Sequence, residues 1–78
     1  MIQELDLVVL MRSIEGKGLR FGDVGTVVHS YENGQAYEVE FMDGDGETLA
    51  VLTLASSDIR SQIGGEILHV REVVPNPM

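Results

Sequence analysis

The sequence predicts an all-β fold in which five short strands enclose one thin core, with a single 3-10 turn before the last strand. Three observations predict it. Apolar, β-branched runs alternate with polar positions and stop well short of helix length. Asn33-Gly34 and the Asp-Gly steps at 43–46 separate those runs with hairpin chemistry. No stretch carries the 3.6-residue period of an amphipathic helix.

The first strand is expected in LDLVVLM (5–11), an apolar run too short for a helix. RSIEGKGLRFGD (12–23) shows neither period and reads as a long loop, with Leu19 and Phe21 alternating so as to tuck inward. VGTVVHSY and QAYEVEFM then read as a hairpin whose tip is Asn33-Gly34, because a type I′ turn needs positive φ at both central residues. That tip predicts Val28 opposite Val39, Thr26 opposite Phe41 and Ser30 opposite Tyr37 on an apolar face. Val27 with Glu40, His29 with Glu38 and Tyr31 with Ala36 fall on the polar one.

DGDG (43–46) leaves the next loop length open. Placing Asp45-Gly46 at the tip sets Phe41 against Ala50, Val39 against Leu52 and Tyr37 against Leu54, with Leu49 and Val51 pointing away. SSDIR (56–60) reads as one helical or 3-10 turn, its free N–H groups met by a serine or aspartate. EILHVREV (66–73) reads as the last strand, with Leu68 and Val70 inward. PNPM cannot extend a ladder, so residues 1–73 form the domain and 74–78 a disordered C-terminal tail. Five short strands on a thin core suggest a strongly bent sheet, a small SH3-like barrel. An OB-fold would need a longer helix.

At 78 residues the chain is one domain. A chain of this size buries only about 60–65% of its unfolded surface. Without cysteine it offers no disulfide, thiolate nucleophile or Cys-ligated zinc. The N-terminus has no basic start before its apolar run, and no stretch reaches membrane-span length, so a cytoplasmic protein is expected. Thirteen acids against five bases give a formal net charge of -8. That balance opposes sequence-independent binding to nucleic acid. No Lys or Arg lies between Arg20 and Arg60, whereas Arg12, Lys17 and Arg20 cluster near the first loop.

FGDVGTVV (21–28) is the most distinctive local pattern. Gly22 suits a left-handed turn, Asp23 can close the loop through backbone N–H groups, and Gly25 suggests a bulge or bend. The same Gly-x-x-Gly-x-Val resembles the KOW motif of RNA-contacting barrels, but the basic residues that surround that motif stop here at Arg20. A similar local pattern occurs in the SH3-like barrel of nitrile hydratase β subunits, a protein-contact role from which no metal ligand carries over. YENGxAYEVEF together with LTLxxSDIR, across about residues 2–73, resembles the small bacterial proteins of the domain-of-unknown-function family DUF4926. That resemblance implies a stand-alone SH3-like protein beside a genetically linked partner such as a toxin, and assigns no site residues.

Candidate chemistry is sparse. Asp43-x-Asp45-Gly46 matches part of an EF-hand loop, yet its first and twelfth ligand positions would be Phe41 and Leu52, which carry no oxygen ligand. His29 opposite Glu38 reads as a cross-strand charge pair. The serines have no triad context, so no enzyme, catalytic residue, cofactor or metal is expected. The expected function is binding of a basic protein partner through Glu32, Glu38, Glu40, Asp43, Asp45, Glu47, Leu49 and Val51, in one version as an antitoxin or immunity-type inhibitor. Val8, Leu10, Leu49 and Val51 lie opposite the residues assigned inward. Either their strands are buried on both sides or they form an apolar patch for a partner or a second copy of the chain. The rival reading is a KOW-like nucleic-acid accessory module using Arg12, Lys17 and Arg20.

Overall fold

Four of the apolar runs and the short segment Ile59–Ser61 pair into one antiparallel sheet. In the computed structural model, which describes residues 2–73, the strands are β1 (Leu7–Leu10), β2 (Val24–Tyr31), β3 (Ala36–Met42), β4 (Thr48–Ala55) and β5 (Ile59–Ser61). Their order is β4-β3-β2-β1-β5, with 3-10 turns at Glu32–Gly34 and Ser56–Asp58. The all-β fold, the long first loop and the turn before the last strand match the expectation. The sheet is bent but not closed into a barrel, since β4 and β5 stay at opposite edges. The expected tail at 74–78 lies outside the described residues.

Val8, Leu10, Leu19, Val27, Tyr37, Val39, Phe41, Leu54 and Ile59 form the core. Their alternation along β3 and β4 is the period-2 pattern of a half-buried pair. β1 differs: Val8, Val9 and Leu10 are all buried. Val9 faces away from the core and borders a small cleft with Phe21, Val24, Ile67 and Leu68, so the chain after β5 covers that side. Of the two explanations left open for Val8 and Leu10, burial is the one that holds. Both are fully buried and present nothing to a second copy.

The turn at 32–35 is as expected in place and in its need for positive φ. Glu32, Asn33 and Gly34 have φ of 29°, 59° and 77°, and Gln35 N–H donates to Glu32 O. Tyr31–Ala36, Ser30–Tyr37 and His29–Glu38 pair in the expected register. A β-bulge between Val27 and His29 then shifts it, so Val27 opposes Val39 and Thr26 opposes Glu40. Val27 takes the core position expected of Val28, which is 39% exposed. The extra residue resets the alternation and brings Gly25 onto the inner face opposite Val8. An ideal Cβ on Gly25 would lie 2.6 Å from Val39 Cγ1 and 2.9 Å from Phe41 Cε1, so only a bare backbone fits over the core there.

The expected β3–β4 register is confirmed at Phe41–Ala50, Val39–Leu52 and Tyr37–Leu54. Leu49 is the extra residue of a second bulge, beside a turn closed by Gly46 N–H to Asp43 O. The last strand is not 66–73. Ile59–Ser61 pairs with β1 directly after the 3-10 turn and occupies the edge of β1, and 66–73 forms no strand. Leu68 and Val70 accordingly face solvent at 55% and 90% exposure, against the inward placement expected of them. Leu19 does tuck inward, whereas Phe21 is exposed.

Candidate functional site

β3 lies between the two hairpin turns and has an inner apolar face and an outer acidic one. Tyr37, Val39 and Phe41 point into the core, so Glu38 and Glu40 must point the other way. Cross-strand pairing sets Thr53 beside Glu38 and Val51 beside Glu40. Glu38 Oε1 accepts from Thr53 Oγ1 at 2.7 Å and from Tyr31 Oη at 3.1 Å, while Thr48 Oγ1 donates to Glu40. These hydroxyls orient the carboxylates without neutralising them. The Glu38 contact pushes the Tyr31 phenol above its ordinary value, with partial desolvation and the nearby negative charge adding to it.

Three of the five Lys and Arg side chains are paired elsewhere. Arg12 pairs with Asp58 at 2.8 Å, Arg60 with Glu66 at 2.5 Å, and Arg71 with Asp23. The Arg12 hydrogen bond holds Asp58 below the usual carboxylate range, the Ala55 N–H helping and burial opposing. Arg60 and the Ile63 N–H do the same for Glu66. For Asp23 burial pushes upward most, but Arg71, the Arg20 N–H and both positive charges together hold it low. None of Glu32, Glu38, Glu40, Asp43, Asp45 or Glu47 has an ion-pair partner among the described residues.

The expected site residues therefore fall into groups. Glu38, Glu40 and Val51 lie together on the outer face, with Leu49 at its bulged end. Leu49 and Val51 are 40% and 46% exposed, so the outward placement read from the sequence holds for both. Glu32 stands at one end of β3 and Asp43, Asp45 and Glu47 at the other, roughly 20 Å away at strand rise. Asp43 Oδ1 is already occupied by the N–H groups of Asp45 and Glu47, which makes it a turn former first.

The expected His29–Glu38 charge pair is corrected. The two residues are in register, but His29 Nδ1 lies 3.6 Å from Glu4 while Tyr31 takes Glu38. Tyr31 stacks edge-on against His29, with ring centroids 4.5 Å apart. Sequence reading missed Tyr31, Thr48 and Thr53 as supports. The signal was there for Thr53, which lies directly across from Glu38, whereas Tyr31 and Thr48 reach Glu38 and Glu40 diagonally from positions paired with Ala36 and Met42.

An open hollow of about 730 Å³ lies between Leu19, Phe41, Met42, Asp43, Asp45 and Leu49 and the segment Leu68–Val73. Arg71 is its cation and is already committed to Asp23. No helix among the described residues is long and apolar enough to cross a membrane.

Comparison with curated proteins and with solved structures finds no match. The family described as Domain of unknown function (DUF4926) matches residues 4–61, which span all five strands. The paired sheet and its acidic outer face thus coincide with the matched region, and the chain belongs to the DUF4926 family.

Proposed function

We propose that this chain is a non-enzymatic, cytoplasmic protein-binding module that docks a basic partner on the outer face of β3 and β4. The observation that carries the reading is the uncompensated charge of that face. Glu38 and Glu40 are held in place by hydroxyls and lack any cation among the described residues, beside exposed Val51 and Leu49. Oriented charge beside apolar surface suits a docking patch better than a merely solvated one. An antitoxin or immunity-type inhibitor, its acids laid over a basic active site, is the specific version this favours. The nucleic-acid reading loses support because Arg12 is engaged by Asp58 and Arg20 stands beside Asp23, leaving a weak basic patch on an acidic chain.

The test compares affinity capture from the native host by the wild-type chain and by Glu38→Gln/Glu40→Gln. A basic protein retained at low salt, released by added salt and lost with the double variant is the expected result. Salt-sensitive micromolar binding of RNA or DNA by the wild-type chain would overturn the reading.

A further inference from the structure

We propose, resting on the protein-binding reading above, that the partner docks by adding an extended basic segment as a sixth strand along the free edge of β4. Among the described residues β4 pairs only with β3 and ends the sheet. Its backbone directions follow from the ladder. Ser56 N–H donates to Gln35 O, so by alternation Leu54, Leu52 and Ala50 turn their backbone groups toward β3. Val51, Thr53 and Ala55 turn theirs outward. The Ala55 N–H is taken by Asp58 Oδ2 at 3.0 Å, which leaves Val51 and Thr53 as the open docking positions.

Natural sheets blunt such edges with lysine, proline, inward charges or very short strands. β5, the opposite edge, is only three residues long and carries Arg60. β4 runs for eight residues, TLAVLTLA, without a charge or a proline, and only the Leu49 bulge interrupts it. An edge left so accessible is a template for strand addition.

Charge selects the occupant. Self-pairing along β4 would bring together two chains of net charge -8, each with Glu38 and Glu40 beside the joint. A basic strand meets the opposite condition. Its outward side chains would flank Val51 and Thr53 at about 4.8 Å, and Glu40 and Glu38 lie one strand further, about 10 Å away and within reach of extended Lys or Arg. Its inward side chains would continue the half-buried row of Ala50 and Leu52. The recognised segment therefore alternates basic and apolar residues.

The probe is a ten-residue peptide of alternating Lys and Val, compared with a block-sequence peptide of the same composition, each titrated into the full chain. The alternating peptide should slow amide exchange at Val51 and Thr53 at least tenfold. Thr53→Pro, which removes an N–H outside the β3 ladder, should weaken binding at least tenfold. Should that variant fold poorly, N-methylation of the alternating peptide at its lysines, whose N–H groups would face β4, provides the same comparison with every charge unchanged. Equal binding of both peptides without protection at Val51 and Thr53 overturns strand addition while leaving the acidic-face reading standing. Failure of the alternating peptide to bind, or a wild-type dimer in sedimentation that Thr53→Pro disperses, also overturns it. The capture experiment above tests the broader reading separately.

Discussion

Asp23 and Arg71, 48 positions apart, are joined by a two-pronged guanidinium–carboxylate contact, with Nε donating to Oδ1 at 2.8 Å and Nη2 to Oδ2. Arg71 Nη2 also donates to Gly18 O at 2.9 Å, and Asp23 Oδ2 accepts the Arg20 N–H at 2.8 Å. One carboxylate thus ties the first loop, the start of β2 and the chain beyond β5. The aspartate of FGDVG acts here as a clasp.

Arg71→Ala should lower unfolding stability by about 1–2 kcal/mol, since charge-assisted hydrogen bonds at a partly covered site are lost together. Arg12→Ala, at an exposed pair, should cost less. Urea midpoints of the two variants check the order, and a larger loss for Arg12→Ala would refute it.

The pH dependence follows from three depressed carboxyls. Asp23, Asp58 and Glu66 are all held below their ordinary values. Each contributes stability that is present above an unfolded-state value of about 4 and lost as pH falls through the lower folded one. Stability should therefore decline below about pH 4, although protonating the surplus acids relieves some self-repulsion. Asp58→Asn should flatten that acid limb, as read from urea midpoints taken down to about pH 2. Tyr31 runs the other way: its raised phenol contributes below about pH 10 and loses that contribution as pH rises through the folded value.

Gly25→Ala should cost about 1–3 kcal/mol, because the new methyl would press on Val39, Phe41 and the Glu40 carbonyl rather than on a flexible surface chain. A Tm within a degree or so of wild type would show that β2 can move off the core.

Gly46 and Gly64 separate backbone strain from crowding, since a Cβ at either meets nothing within 4 Å. Gly46 has φ of 82°, so Gly46→Ala should cost about 1–2 kcal/mol. Gly64→Ala should be neutral or stabilise by up to about 1 kcal/mol. Equal midpoints for the two would refute the assignment of the 43–46 turn.

The first hairpin turn and the β3–β4 register from Tyr37 to Phe41 were legible because turn chemistry and two-residue alternation are local and agree. The tip within 43–46 stays open in the sequence, and the structure closes it from Gly46 to Asp43 with Leu49 bulged. The bulge at Val27–Val28 was not legible. Two adjacent valines suit either face equally, and only the fit of Gly25 against Val39 and Phe41 selects between them. EILHVREV misled for a related reason: it has strand-like composition, but β1 has one free edge and Ile59–Ser61 reaches it first. The acids of the candidate site were visible as composition. Their lack of cations was not, since which carboxylates Arg12, Arg60 and Arg71 engage is a long-range matter for two of the three.

The chain alone determined the all-β class, the first hairpin turn and an acidic balance, because each depends on composition or on neighbours within a few residues. Packing in three dimensions decided which valine enters the core, which segment closes β1, and that the β3–β4 side keeps its charge. These outcomes are competitions for one inner volume, one open strand edge and a few guanidinium groups, and no local pattern settles a competition between distant segments.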